Sequence, residues 1–329
     1  MVPLEWVTRR VATGSFLRRN PGVKEGFRFS PPKLETFLKD DANKDPQWSE
    51  EQILEAELEV GGIKIRKFEY DIIAKTTVAV FEVLERAWAS LDCALVDMKI
   101  EFGIDYLSRE ILVSDVIDSD SWRLWPSGDK RLMKDKQVYR NLQRVTSEAL
   151  IEVKRNFQWV ADKLDHFIPV SKALVVILMG SPSDKTRSEI IRDHCRKLGL
   201  AVEMRISSAH KATHDTLDIV AKYEGMSIPL VFIAVAGRSN GLGPVLSGNT
   251  SFPVINCPPL ESDNMERDIW SSLNTPSGLS CCTVLYPEAA AQHAASILSL
   301  SDHAIWAKIR GKQLMLWKTL KEADHYIEN

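Results

Sequence analysis

Val175-Val-Ile-Leu-Met179 runs directly into Gly180-Ser-Pro-Ser-Asp184, and the reading of that junction decides the fold of the C-terminal half. A short apolar run rich in β-branched side chains is what a strand buried on both faces requires. From Asp184 the pattern turns helical, with Ile190, Ile191, His194, Cys195 and Leu198 spaced as one stripe. The same order returns twice. Val202-Glu-Met-Arg-Ile206 leads into Ser207-Ser-Ala-His-Lys211, ahead of a helix expected from Thr213 to Tyr223. Leu230-Val-Phe-Ile-Ala-Val-Ala236 leads into Gly237-Arg-Ser-Asn-Gly-Leu-Gly-Pro244. Parallel strands collect such loops on one edge, where helix N-termini and loop amides converge on a ligand. Three loops therefore share one rim.

Each loop has a chemical reading and a plainer one. Gly180, two hydroxyls and a helix N-terminus suit a phosphate, because free N–H groups and the helix dipole both favour an anion. They equally suit a capped turn, Ser and Asp being ordinary N-caps. His210 can move a proton near neutral pH, although the chain has seven histidines and a loop imidazole is commonly just solvated. The glycines around Arg238, Ser239 and Asn240 suit close backbone approach to a polar ligand, or a flexible surface loop.

Joined in order, the three stretches resemble the class II phosphoribosylaminoimidazole (AIR) carboxylases. The resemblance runs from about Leu174 to the C-terminus, through Ser247-Gly-Asn-Thr250, Pro253-Val254, Cys257-Pro-Pro259 and Pro276-Ser-Gly-Leu279. It implies a three-layer, flavodoxin-like parallel-sheet domain and the carboxylation of 5-aminoimidazole ribonucleotide by CO2, with no cofactor. It also implies that Ser181, Ser183 and Asp184 hold the ribose phosphate, with Ser208 and Lys211 nearby and His210 as the proton carrier. The CO2 and substrate pocket falls on Arg238, Ser239 and Asn240. Lys211-Ala-Thr-His214 departs from the family, which often places Pro or Gly after the basic residue.

The N-terminal half is read from Leu95-Val-Asp-Met-Lys-Ile-Glu-Phe-Gly103. Alternation sends Val96, Met98, Ile100 and Phe102 to one face and Asp97, Lys99 and Glu101 to the other, successive members lying about 6.6 Å apart. Glu110 to Ile117 is expected to pair with it as a hairpin, followed by Asp118, Asp120, Ser121, Arg123, Trp125 and Pro126. Carboxylates beside Lys and Arg suit magnesium with a phosphorylated ligand; they also suit a solvated hairpin whose charges pair across strands.

Pro3-Leu-Glu-Trp-Val-Thr-Arg9, Thr13-Gly-Ser15, Lys39-Asp-Asp41, the hairpin, Asp135-Lys136 and Tyr139-Arg140 are similar, in order, to the SAICAR synthetases, which use ATP to join aspartate to the carboxylated nucleotide. In animals that enzyme precedes the carboxylase on one chain. The resemblance implies an α+β domain that uses ATP and Mg2+. Arg9, Ser15 and Arg123 would contact substrate phosphate, Lys99 and Asp135 would lie near the substrates, and Glu101, Asp115 and Asp120 would serve the metal. Met1 stands just before the Pro-x-Glu strand, so the expectation is an N-terminally truncated domain without the β-rich lobe that covers ATP, and an impaired ligase step.

Length and composition agree with two domains: 329 residues, 26% charged, net charge −3. That charge makes no demand for nucleic acid, and Ile228 to Gly237 is too short to span a bilayer. The basic residues Arg9, Arg10, Arg18, Arg19, Lys24 and Arg28 are read as loops around a small anion rather than as a nucleic-acid patch. Five cysteines without Cys-x-x-Cys spacing read as reduced thiols in a cytoplasmic protein. The division expected is 1–166 for the synthetase-like domain, 167–172 for the linker and 173–329 for the carboxylase domain. Helices are expected from Tyr70 to Ala89, from Thr146 to His166 and from Asp302 to Tyr326. The apolar stripe of the last, Ile305, Trp306, Ile309, Leu316 and Leu320, is expected to pack on another subunit, in an octamer by resemblance. Two other classes compete: a non-catalytic assembly or regulatory subunit, and a nucleotide-dependent oxidoreductase. The second is disfavoured because the Gly180 loop lacks G-x-G-x-x-G.

Overall fold

The computed structural model describes residues 1–168, 170–260 and 265–328, with residue 328 described by its backbone only. It divides into two compact units, Met1–Ile168 with Arg310–Asn329, and Pro169–Ile309. Pro169, within the expected linker at 167–172, lies outside the described residues.

The first unit is α+β. Its six-stranded antiparallel sheet is built from β1 (Leu4–Val11), β2 (Arg28–Leu38), β3 (Cys93–Ile104), β4 (Ile111–Ser114) and β5 (Trp122–Pro126), with the short strand Gln47–Trp48 along the outer edge of β2. β2 and β1 lie side by side, β1 meets β3, and β3 carries β5 along its first half and β4 along its second. A bulge between Leu95 and Asp97 shifts the phase of β3. The extra residue lets Leu95 and Met98, three apart, both reach the core. Beyond it the expected alternation holds, with Met98, Ile100 and Phe102 buried among Trp6, Phe81 and Trp122.

Helix α1 (Lys67–Ala89) covers that apolar face with Ile73, Thr77, Phe81 and Trp88, one stripe at helical spacing. The Glu69 carboxylate accepts the Arg66 N–H at 3.0 Å and stops fraying at its start. Helix α2 (Ser147–Leu164) is capped by the Thr146 hydroxyl, which accepts the Ala149 N–H at 3.2 Å.

The second unit is α/β, a three-layer domain around five parallel strands. They are β6 (Leu174–Met179), β7 (Ala201–Ile206), β8 (Leu230–Val235), β9 (Val254–Asn256) and β10 (Cys281–Thr283), in spatial order β7-β6-β8-β9-β10. Alternate side chains feed two cores. Val175, Ile177, Val231 and Ile233 pack with α3 (Lys185–Lys197) and with Ala290, Ala291 and Ala294 of a later helix. Leu174, Val176, Leu178 and Phe232 pack on the other side with α4 (Thr213–Glu224) and α5 (Leu242–Asn249). A strand buried on both faces shows no polar alternation, which is why these runs read as continuously apolar. Helix α6 (Pro287–Leu298) completes the first of these layers.

The last helix, α7 (His303–Glu328), does not carry one continuous buried stripe. Ile305 and Ile309 enter the second unit's core, whereas Leu316 and Leu320 are exposed. From Arg310 onward its side chains pair with α1: Arg310 with Glu82 at 2.7 Å, Lys321 with Asp71 at 3.6 Å, and His325 stacked on Phe68 at 4.2 Å. Among the described residues no helix is long and apolar enough to cross a membrane.

Candidate functional site

In the second unit, β6 has β7 on one side and β8 on the other, so the chain reverses its direction of winding at β6. Ligands of open parallel sheets bind at the carboxyl ends flanking such a switch point. The strand tips there are in contact. Gly180 donates its N–H to the Val235 carbonyl at 2.9 Å, and Ser207 donates to the Met179 carbonyl at 2.9 Å. A Cβ on Gly180 would stand 3.1 Å from that of Ala236, and the His210 imidazole lies directly against Gly241. The loops bearing Ser181, His210 and Ser239 therefore adjoin on one edge.

The first loop is held by reciprocal capping. The Ser181 hydroxyl oxygen accepts from the Ser183 hydroxyl at 2.9 Å and from the Ser183 N–H at 3.3 Å, while the Asp184 carboxylate accepts the Ser181 N–H at 3.0 Å. Burial pushes the Asp184 carboxyl above its ordinary pKa, against the opposing pull of that hydrogen bond. Ser208 is half-buried, and His210, Lys211, Arg238 and Ser239 are exposed. Arg238 adopts a φ of 55°, and its carbonyl accepts the Ser271 hydroxyl.

Asn240 departs from the expected ligand contact. It is 3% exposed and spends its groups internally. Its amide nitrogen donates to the Ser272 hydroxyl at 3.0 Å, its N–H donates to the Ser271 hydroxyl at 3.1 Å, and its amide oxygen accepts the Gly243 N–H at 3.2 Å. Asn240 is a strut under the loop rather than a group facing out of it.

The first unit concentrates charge on the sheet face opposite α1. Arg9 pairs in register with Asp97, and Asp97 in register with Arg123, so three adjacent strands present one row. Asp97 accepts from Arg9 at 2.7 Å and from Arg123 at 2.5 Å. Arg9 also meets Glu35, and Glu35 meets Arg19 at 2.8 Å. A parallel row joins Lys39 to Glu101 at 2.7 Å, Glu101 to Lys99 at 3.0 Å and Lys99 to Glu5 at 2.9 Å. Burial works against the Lys99 ammonium, but the bonds to Glu5 and Glu101 outweigh it and raise the pKa.

Beside the first row opens a cavity of about 430 Å³ lined by Ser15, Arg18, Arg123, Lys130 and Arg140, with no carboxylate on its wall. Ser15 and Arg123 thus share one cavity wall with Arg18, Lys130 and Arg140. Arg9 does not line it: at 3% exposure, between two carboxylates, it lies behind the wall. Asp135 is also buried, accepting the N–H groups of Leu124 at 2.9 Å and Gln137 at 2.8 Å. Burial pushes its carboxyl up despite both bonds.

The expected metal set does not assemble. Among the described residues no group of three or more His, Cys, Asp or Glu side chains could hold a metal ion. Glu101 is buried against Lys39 and Lys99, and each of its oxygens already meets one ammonium group. Asp115 and Asp120 are exposed, and Asp115, one residue past the β4 pairing, turns away at a φ of 69°.

Residues 1–156 match the family model for SAICAR synthetase and residues 174–318 the one for AIR carboxylase. A bifunctional phosphoribosylaminoimidazole carboxylase/phosphoribosylaminoimidazole succinocarboxamide synthetase of Drosophila melanogaster is 63% identical over 324 residues, 98% of this chain and 75% of that protein. The Homo sapiens protein of the same description is 56% identical over 328 residues, 99% of this chain and 77% of that one. A crystal structure of Treponema denticola PurE aligns with a TM-score of 0.47 at 35% identity, over 48% of this chain and 100% of that one. The chain belongs to the bifunctional family of purine biosynthesis that couples an AIR carboxylase domain to a SAICAR synthetase domain, a lyase and a ligase on one polypeptide.

Proposed function

We propose that the second unit carboxylates 5-aminoimidazole ribonucleotide at His210, using CO2 and neither biotin nor ATP. The observation that carries this reading is the contact of the His210 ring with Gly241, which brings the only histidine of the three loops beside the Arg238–Ser239 loop. The substrate ring is an electron-rich enamine whose C4 attacks CO2 directly once the two are held in place. One C–C bond forms, the C4 proton passes to the imidazole, and the product leaves as a carboxylate. Ser181, Ser183 and Asp184 hold the ribose phosphate end, with Ser208 and Lys211 beside them. Loop amides and the Arg238 and Ser239 side chains meet the developing carboxylate.

For the first unit, Ser15 and Arg123 hold the phosphate of the carboxylated nucleotide, helped by Arg18, Lys130 and Arg140. Four cations around a cavity without a carboxylate support this reading. Lys99 and Asp135 belong to its framework, and ATP and aspartate complete the reaction. Mg2+ accompanies ATP in this reading, but Glu101, Asp115 and Asp120 do not fit as its ligands. A cytoplasmic homo-octamer completes the proposal, supported by the uncovered Leu316 and Leu320 on α7. Nucleic acid and membrane have no part in it.

The test is ATP-free carboxylation by the full chain and by His210→Asn. Turnover should fall by about 10²- to 10⁴-fold, the usual contribution of a positioned acid or base. An intact, assembled variant with unchanged turnover would refute the assignment.

A further inference from the structure

Five side chains in the first unit form one alternating chain of charge: Arg19, Glu35, Arg9, Asp97, Arg123. Three cations meet two carboxylates, so one positive charge is left over. The ends are the more open members, with side chains 30% exposed at Arg19 and 15% at Arg123, against 4% at Arg9 and 6% at Asp97. Only Arg123 of the five lines the cationic cavity.

We infer that Asp97 is the positioning residue of that cavity, acting through Arg123. Its carboxylate takes Nη1 of Arg123 at 2.5 Å and fixes the direction of the planar guanidinium. The far side of that group lies against Gly14, where a Cβ would stand 2.7 Å from Nη2 and 3.1 Å from Cζ. Gly14 adopts a φ of 59°, so it is glycine on both conformational and steric grounds. Arg123 is therefore clamped between a buried carboxylate and bare backbone, at the entrance of the short helix that begins with Ser15. Arg9 holds the same Asp97 oxygen from the other side at 2.7 Å without reaching the cavity, so the carboxylate is itself fixed in place. An arginine already aligned loses less freedom when it captures a phosphate than one free to rotate.

This inference rests on the assignment of Ser15 and Arg123 to the nucleotide phosphate. The experiment is a double-mutant cycle on the full chain, read by calorimetric titration with the ligase product SAICAR. Asp97→Asn and Arg123→Gln should each weaken binding by about tenfold or more, the scale of one charged hydrogen bond. The double variant should bind no more weakly than Arg123→Gln alone, because Asp97 acts only through Arg123. Additive losses, or unchanged affinity in a folded Asp97→Asn, would overturn the inference. Unchanged affinity in Arg123→Gln would instead sink the phosphate assignment beneath it. Asp97→Asn leaves buried Arg9 short of one anion; if that variant does not fold, Gly14→Ala serves in its place. Its methyl group displaces Arg123 without altering a charge, and the same loss is expected; unaltered affinity there also overturns the inference.

Discussion

The His210 ring occupies the space that a side chain on Gly241 would need: a Cβ there would stand 2.6 Å from Nε2 and 2.8 Å from Cε1. Gly241 has an ordinary φ of −78°, so alanine at this position meets no backbone strain and its only effect is to push the imidazole. Gly241→Ala should lower carboxylation by roughly 10²-fold, the scale of a 1 Å misplacement of a reacting group. Wild-type kinetics would show that the ring is free to move aside.

Gly243 sets a different constraint. A Cβ on it would lie 1.9 Å from Oδ1 of Asn256, whose side chain is wholly buried at the tip of β9. Neither group can retreat in a packed interior, so Gly243→Ala should cost about 1–3 kcal/mol of stability, as overpacking does. Urea unfolding of the full chain measures this, and a midpoint unchanged from wild type would contradict it.

The cysteines should differ in reactivity by burial. All five are free, and burial pushes the Cys195 thiol up to about 12. The thiolate is the reactive form. Iodoacetamide at pH 8 should therefore leave Cys195 unmodified in the folded chain and alkylate it after denaturation, with exposed Cys282 modified first. Peptide mass spectrometry gives the order, and early modification of Cys195 would argue against its place on the buried face of α3.

Asp184 makes stability depend on acid. Its folded pKa is raised by burial, so the protonated form is favoured by folding. The stability it contributes is fully present below the unfolded value near 3.8 and is lost as pH rises through the higher folded value. Asp184→Asn removes this slope and keeps an acceptor for the Ser181 N–H. The variant should be at least as stable as wild type at pH 7 while binding nucleotide less well. Lower stability at pH 7 would mean that the ionised carboxylate supports the loop more than its burial costs.

Much of this was legible in the sequence, and the exceptions turn on strand register and on which way a side chain faces. The strands at 174–179 and 230–235 were read to within a residue because burial on both faces leaves an unmistakable apolar run, and the half-exposed edge strand at 201–206 was read as closely from its alternation of apolar and charged residues. The rim followed from them. The stretch Trp122–Pro126 was read as the tail of a hairpin, yet it is a strand of its own whose Arg123 pairs with Asp97. Long-range register carries no local signal, so neither that pairing nor the burial of Arg9 could be read from spacing. Glu101, Asp115 and Asp120 were grouped by resemblance, whereas strand pairing sets Glu101 opposite Ser114 and leaves the two aspartates beyond it. The inward bonds of Asn240 were not legible either, because an amide in a Gly-rich loop looks the same whether it faces out or in.

The two sheets house their polar groups in different places, and that difference governs which substitutions the halves of this protein can tolerate. Along β1 and β3 the charged rows occupy alternate residues of the strands themselves, so neighbouring positions should be equally intolerant for opposite reasons, the residue type they accept alternating with a period of two. Along β6 and β8 every strand residue is core, and the replaceable chemistry begins only after the last hydrogen-bonded pair. Specificity in the second half can thus be rewritten by exchanging loops, while in the first half a new specificity demands that the framework itself be rebuilt.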